Sequence, residues 1–566
     1  MSKIKIRLSA WARRYRGFAA GIGTMLCLGL FIQGTGQDSY FEISKNLDIF
    51  ANLFKELNTY YVDPIEPGQL MKNGVDAMLD GLDPYTNYIT ESDMEEYEFQ
   101  TTGKYGGIGA VMRQRGRSIF VGDVYESSPA QKAGLYPGDE LLQVDRQNVE
   151  GKSLDDVSLL LKGSPGTQVV IRVKDVYTGE EKDKLVQRGE IAISSVPYAA
   201  LAGPQNNMAY VVLTQFTPGC SRQVRQALDS LKGKAGGQLS GVVLDLRNNP
   251  GGLLDEAVNV CNLFLDKGQL VVSTRGKMQD WDKSYNTPGT AWDATIPVAV
   301  LVNNSSASAS EIVAGTLQDL DRGVVIGQRS YGKGLVQTTR DLGYNARLKL
   351  TTARYYTPSG RCIQKLDYTH RDANGTVSAI PDSLKKAFKT TNGRQVLSGG
   401  GVTPDVAIND TPISPVAMVL YTRNFLFDYA SKYAKDHKTV APPESFSLSD
   451  ADFNAFTQWL EGKDYAYKTG TERLLDSLEK EARREKYYES AQTEFRALAA
   501  KVSHDKKQDL LKNKTEIKRL LENEIISRYY FQRGRIAQGL RGDPNFDKAI
   551  ALLAQPTQYR GLLKGK

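Results

Sequence analysis

Histidine is the scarcest reactive residue in this 566-residue chain: only His370, His437 and His504 occur, and none falls among the glycine-rich turns of the α/β segment. A serine hydrolase built there must take its base from another residue type. Simple counting therefore sets aside a Ser-His-Asp arrangement, although a distant histidine could in principle return through folding. Cysteine is nearly as rare. Cys27, Cys220, Cys261 and Cys362 are too widely spaced for a disulfide framework or a metal site, so neither a metal nor another cofactor is expected. Cys261, beside Val258, Leu263 and Phe264, reads as a buried thiol. A basic stripe interleaved with aromatic residues is also missing. The formal charge of +7 arises in residues 501–566, where 15 Lys or Arg face 7 Asp or Glu. A solvated basic helical surface accounts for it, and nucleic acid is not an expected partner.

What is present points to several folded units, about three or four for a chain of this length. Lys3, Lys5, Arg7, Arg13, Arg14 and Arg16 make residues 1–16 basic, and an uncharged run follows from Gly17 to about Gly34. That order is an export signal. The small-residue cleavage pattern after it is poor, so an uncleaved signal anchor over 17–34, with the rest of the chain outside the cytoplasm, is favoured over a removed signal peptide. Residues 41–102 carry helical periodicity (Leu47, Phe50, Leu53, Phe54, Leu57) broken at Asp63-Pro64 and Glu66-Pro67. They read as a dimerisation arm of a homo-oligomer or as a stalk.

Residues 103–188 change to short alternating strands punctuated by glycine. Gly106, Gly107, Ile108 and Gly109 form a glycine-rich turn whose amides can face inward and hold a carboxylate. Ser128-Pro129-Ala130, Ala133-Gly134-Leu135, Pro137-Gly138-Asp139, Leu141-Leu142-Gln143-Val144 and the amphipathic Leu154 to Leu161 follow. The ordered string resembles a PDZ domain in the circularly permuted arrangement of bacterial proteases. The resemblance implies that a peptide tail adds to a strand edge with its carboxylate in the amide nest. A PDZ-like module that merely packs on its neighbour would carry the same glycines.

Residues 189–410 alternate strand and helix: Met208 to Phe216, Gly241 to Leu246 and Ile296 to Val302 as strands, Ser221 to Leu231 and Leu253 to Leu265 as helices. Runs such as Val298-Ala299-Val300-Leu301-Val302 are apolar on both faces, as strands of an α/β core covered on both sides would be. Residues 411–566 turn helical and charged, with long helices expected over Tyr465 to Glu494 and Leu510 to Gln538. No chemistry is legible there.

Three motifs in the α/β segment carry chemistry. Ser305-Ser306-Ala307-Ser308-Ala309-Ser310-Glu311 sits between a buried strand and a helical run, which puts Ser308 at a helix N-terminus whose free amides favour a developing oxyanion. Ser308 with Glu311 three residues on is equally a capping box. Asp245 to Gly252 ends a buried strand with two glycines able to present bare amides at the same sheet edge. Tyr331-Gly332-Lys333-Gly334-Leu335-Val336-Gln337 places Lys333, Leu335 and Gln337 on one face if the segment is a strand.

Together with Leu82-Asp83-Pro84-Tyr85 and Thr351-Thr352-Ala353-Arg354-Tyr355-Tyr356-Thr357-Pro358-Ser359-Gly360, these motifs resemble, in order, the C-terminal processing peptidases, or tail-specific proteases. The resemblance covers about Phe41 to Asp410. It implies an α/β protease core of the ClpP/crotonase-like type, an inserted PDZ domain, an N-terminal helical segment and a C-terminal α-helical extension. It further implies Ser308 as nucleophile, Lys333 as general base and Gln337 as the residue orienting it, with the backbone amides of Gly252 and Ala309 as the oxyanion hole. Substrates would be proteins of the bacterial periplasm or envelope with free C-terminal tails. Leu366 to Ser398 departs from the family as a loop insertion.

The dyad makes a physical demand. Free lysine has a pKa near 10.4, so acting as a base at neutral pH requires disfavouring its charged form by about 4 kcal/mol, which burial away from carboxylates can supply. An amide such as Gln337 positions the amine without adding negative charge. A non-catalytic PDZ scaffold and a crotonase-type thioester hydrolase are the competing readings.

Overall fold

Apolar residues dominate the central strands of the α/β segment, and Met208–Val212, Gly241–Asp245, Val298–Val302 and Val324–Gly327 are buried from end to end. The computed structural model describes residues 40–372, 374–409, 412–502 and 506–565. The basic segment 1–16 and the anchor expected over 17–34 lie outside the described residues. Among those described, no helix is long and apolar enough to cross a membrane.

The chain divides into two units, one ending at Tyr88 and one running from Ile89. In the first, residues 40–60 are helical and Pro67–Asp80 forms a second helix with proline in its first turn. The periodic residues of the first helix are not core residues: Leu47, Phe50 and Leu53 are all exposed. At its end the Asp83 carboxylate accepts the Tyr85 and Thr86 amides at 2.9 and 3.1 Å, a tight turn that accounts for the Leu-Asp-Pro-Tyr sequence.

The second unit opens with the helix Met94–Thr102, stopped by Gly103 in the left-handed conformation. The glycine-punctuated module follows. Its sheet includes β1 (Ala110–Arg115), and its amphipathic helix α1 (Leu154–Leu161) starts on a capping box of Ser153 and Asp156. Alternation in Gln168–Lys174 is strict, with Val169, Ile171 and Val173 buried.

The α/β core is a six-stranded sheet in the order β2 (Tyr198–Ala202), β3 (Met208–Val212), β4 (Gly241–Asp245), β5 (Val298–Val302), β6 (Val324–Gly327) and β7 (Val406–Ala407). All neighbours are parallel except β2 against β3. Its two faces are covered by different parts of the chain. Val211, Val242, Leu244, Val300 and Val325 pack against Cys220–Lys234, Leu254–Cys261 and α2 (Ala309–Asp319). Tyr210, Val243, Ala299, Leu301 and Ile326 pack instead on Ala549, Leu552, Leu553 and Tyr559 from the far C-terminus.

The extension therefore completes the core. It holds α3 (Phe425–Asp436), α4 (Lys514–Gly539) and α5 (Pro544–Leu553), and a cluster of its own around Phe453, Phe456, Ile517 and Ile525. The expected long helices are broken. Tyr465 to Glu494 yields Gly470–Arg484, a turn at Lys486 with positive φ, and a fresh start at Gln492. Phe531 leaves helical geometry inside α4 at φ 54, ψ −155. The Leu366 to Ser398 insertion contains two hairpins, Leu366–Arg371 with Val377–Ala379 and Ala387–Lys389 with Gln395–Leu397.

Candidate active site

Three loops meet at the carboxyl edge of the central sheet: Leu246–Gly252 after β4, Asn303–Ser308 after β5, and Gln328–Gly334 after β6. A parallel sheet gathers its strand ends this way, and ligand sites of α/β folds occupy that edge. Ser308 is half-buried at the start of α2, with φ 56 and ψ −113. A non-glycine residue there is strained by about 1–3 kcal/mol, the cost of turning a strand sharply into a helix with its side chain outward.

Glu311 joins two of the loops. It is fully buried on the first turn of α2, and all its hydrogen-bond partners are donors. Its Oε2 accepts the Ser308 and Lys333 amides at 2.9 Å each. Its Oε1 accepts the Ser330 hydroxyl at 2.5 Å and the Gly332 amide at 2.7 Å. The Ser308 and Lys333 amide nitrogens consequently lie within about 6 Å of each other. Burial pushes the Glu311 carboxyl up to about 7, while its four donors pull in the other direction. Its bond to Ser308 is half of the capping box expected from sequence, so helix start and site assembly use one carboxylate.

Asn249 joins the third loop. Its side chain, wholly buried, donates to the Leu213 carbonyl at 2.7 Å and accepts the Gly251 amide at 2.8 Å. Its carbonyl accepts the Ala307 amide and the Ser310 hydroxyl, both at 3.0 Å. Gly251, at φ 102, lies so close that a Cβ there would meet Ser308 Cβ at 2.8 Å and the Ala309 nitrogen at 2.9 Å. Gly252 bridges Phe216, whose carbonyl bonds the Leu253 amide. Among the described residues, the Gly252 and Ala309 amides have no protein acceptor.

Lys333 is half-buried and precedes the strand Leu335–Gly343, so it is not a strand residue. A bulge between Val336 and Gln337 also breaks the alternation expected to align Lys333, Leu335 and Gln337. The Gln337 carboxamide nitrogen donates to Thr351 Oγ1 at 3.1 Å, which leaves its carbonyl oxygen as the atom suited to face an amine. Glycine is required on both sides of Lys333: a Cβ at Gly332 would meet Lys365 Cβ at 2.5 Å, and one at Gly334 the Gln364 nitrogen at 2.8 Å. The Tyr355 hydroxyl donates to the Ser308 carbonyl at 3.2 Å.

The chain carries matches to three family models: Peptidase family S41 over residues 207–370, PDZ domain over 120–175, and "Probable PDZ-protease, C-terminal helical domain" over 416–553. It is 35% identical over 353 residues to the carboxy-terminal-processing protease of Bartonella bacilliformis, covering 62% of this chain and 80% of that protein. The chain belongs to this peptidase family, S41. It is a serine peptidase of the C-terminal processing type with a PDZ domain. A second relative, a probable CtpA-like serine protease of Staphylococcus haemolyticus, is 35% identical over 349 residues, 61% of this chain and 67% of that one. Among solved structures the chain is similar to a photosystem II D1 C-terminal processing protease: 28% identity, 64% and 92% coverage, TM-score 0.34.

In the PDZ domain, Gly106 and Gly107 lie in the strand Lys104–Gly107, paired with Gly189–Ala192. Ile108 is buried and Gly109 turns at φ 76. The Ile108 and Gly109 carbonyls point away, into bonds from the Ala130 and Tyr125 amides at 2.8 and 3.0 Å. Burial pushes the Tyr105 hydroxyl beside Gly109 up to about 12. Beside this turn a groove of about 270 Å³ lies between β1 and α1, lined by the apolar Ile108, Met112 and Leu161 and the charged Glu96, Asp155 and Lys162.

Glu311, Asn249, Ser330 and Tyr355 are the site residues that sequence reasoning missed. Glu311 had a local signal as the third residue of a capping box. The others act across 19 to 47 residues of chain, where no spacing rule reaches.

Proposed function

We propose that the enzyme cuts with a Ser308–Lys333 dyad and takes its substrates by their C-terminal tails through the PDZ groove. The observation that carries this is the shared carboxylate: Glu311 accepts the backbone amides of both Ser308 and Lys333. Two loops far apart in sequence are thereby held at one point, each presenting one reactive side chain.

In the proposed reaction the Lys333 amine takes the Ser308 hydroxyl proton as Oγ attacks the scissile carbonyl. The oxyanion is received by the Gly252 and Ala309 amides, which have no acceptor among the described residues. The lysine proton then passes to the departing amine, leaving an ester on Ser308. Water, deprotonated by the same amine, releases the product and restores the hydroxyl. The Gln337 carbonyl oxygen orients the lysine. Lys333 is only half-buried, and a peptide lying over the three loops would exclude the remaining water.

Tail recognition is supported by a groove between β1 and α1 that includes Ile108, next to the Gly109 turn, an arrangement suited to strand addition with carboxylate capture. We place the activity outside the cytoplasm, anchored by residues 17–34 and directed at envelope proteins, on the basic-then-uncharged order of the N-terminus. A periplasm-dependent reporter enzyme fused after residue 40 should be active; a silent but stable fusion would overturn the location.

The dyad is tested with purified protein and an unstructured, tail-tagged substrate. Ser308→Ala should leave no turnover above background, and turnover equal to that of the unaltered enzyme would remove the proposal.

A further inference from the structure

The C-terminal extension reaches the catalytic loops from behind. Arg247, adjoining the Asn248–Gly252 turn, is forked between two carboxylates. Its Nε and Nη2 donate to Asp245 Oδ2 at 3.0 and 2.6 Å, and its Nη1 donates to Asp543 Oδ2 at 2.6 Å. Asp245 ends β4 and also accepts the Tyr210 hydroxyl at 2.6 Å. Asp543 comes from the extension, immediately before α5. Its other oxygen caps that helix, accepting the Asn545 and Phe546 amides at 2.9 and 3.2 Å.

The three side chains are well shielded, with 19%, 5% and 12% exposure for Arg247, Asp245 and Asp543. Two charges are costly to desolvate, and an ion pair is a poor fastener compared with apolar contact. Fastening is in any case already done. Leu553 lies against Gly241, and Tyr559 exchanges two hydrogen bonds with the Val298 backbone. Asp245 alone would neutralise Arg247, so the second carboxylate adds direction more than charge balance.

What it directs is the turn. Asn248 follows Arg247 at φ 59 and is tied to the Asn303 side chain by two hydrogen bonds: its backbone amide donates to Asn303 Oδ1 at 3.0 Å, and its side-chain Oδ1 accepts Asn303 Nδ2 at 2.9 Å. A cavity of about 420 Å³ lined by Tyr210, Asp245, Arg247, Asn248, Gln532 and Asp543 leaves the guanidinium room to swing unless it is held on both sides.

We infer that Asp543 is a positioning residue for catalysis: through Arg247 it fixes the Asn248–Gly252 turn, and so aims the Gly252 amide. The helical extension is on this account part of the catalytic machinery's frame. The inference rests on the proposed dyad and its oxyanion hole.

The test uses the full chain with Asp543→Asn and Asp543→Ser, both of which keep a helix-capping side chain while removing the charge. The expected result is a kcat lower by about tenfold or more with KM within about twofold, because misplacement affects the reacting geometry and leaves tail binding alone. Adding Asp543→Asn to Arg247→Gln should cause no further loss, since both act through one contact. Wild-type kcat in both single variants, or fully additive losses in the double variant, would overturn the role. Should either variant melt early, kcat measured well below its melting temperature decides by the same criterion. Ser308→Ala separates the layers. If it is inactive while the Asp543 variants are unimpaired, only the positioning role fails; if it is active, the dyad itself fails.

Discussion

Ser308 and Lys333 donate their backbone amides to the same oxygen of Glu311, each at 2.9 Å. One carboxylate thus fixes the separation of two loops that leave adjacent parallel strands, β5 and β6. It also fills the donor-rich space at the start of α2, where a helix N-terminus favours negative charge. The bond is made with backbone, so Glu311 sets where the Lys333 side chain begins.

Glu311→Gln should therefore lose activity and change the pH dependence of stability. Glutamine keeps the shape but turns an NH2 toward groups that are themselves donors, and the two loops separate; a kcat at least about tenfold lower is expected. Burial raises the folded carboxyl from 4.5 to about 7. Below pH 4.5 it is protonated in both states. Between there and about 7 only the unfolded chain gives up its proton, so stability present in acid is lost as pH rises. The loss amounts to about 3 kcal/mol. Denaturant unfolding across that window should show wild type losing stability relative to the glutamine variant; a constant difference would contradict the assignment.

Gly251→Ala should be nearly inactive yet folded. Its methyl group would sit 2.8 Å from Ser308 Cβ and from the Ala307 carbonyl, at a φ of 102 that alanine resists. A fall in kcat of about a hundredfold is expected. Steady-state kinetics beside a circular dichroism melt measures both, and near-normal kcat would show that the loops have slack.

Amidating the substrate's C-terminus should raise KM by about tenfold, because the amide nest loses a charged acceptor. Peptide titrations by fluorescence anisotropy read the corresponding loss of affinity. Equal affinity for acid and amide tails would remove the nest from the account.

Much of this was legible in residue order, and the limits are instructive. Buried strands such as Val298–Val302 announce themselves by being apolar at every position, and the strand-to-helix switch brackets Ser308. The amphipathic Leu154–Leu161 appears as read. The periodicity over Leu47 to Leu53 marks a helix, as expected, and Leu47, Phe50 and Leu53 on it are exposed. Lys333, Leu335 and Gln337 would share a face only on a regular strand; the strand starts at Leu335 and its register shifts between Val336 and Gln337, which counting residues cannot reveal. The extension seemed without chemistry. Its Leu553 and Tyr559 cover one sheet face and its Asp543 grips Arg247, contacts spanning more than 200 residues that no local pattern encodes. Asn249 was visible as a motif letter only, since its partner Leu213 lies on another strand's end.

The most direct test of the central claim is turnover of a tail-tagged substrate by Lys333→Arg. Arginine keeps the positive charge and length but cannot serve as a base at neutral pH. The account predicts a folded protein with wild-type melting behaviour, unaltered tail binding and no cleavage above the Ser308→Ala background. Appreciable turnover by the arginine variant would mean that some other group takes the Ser308 proton.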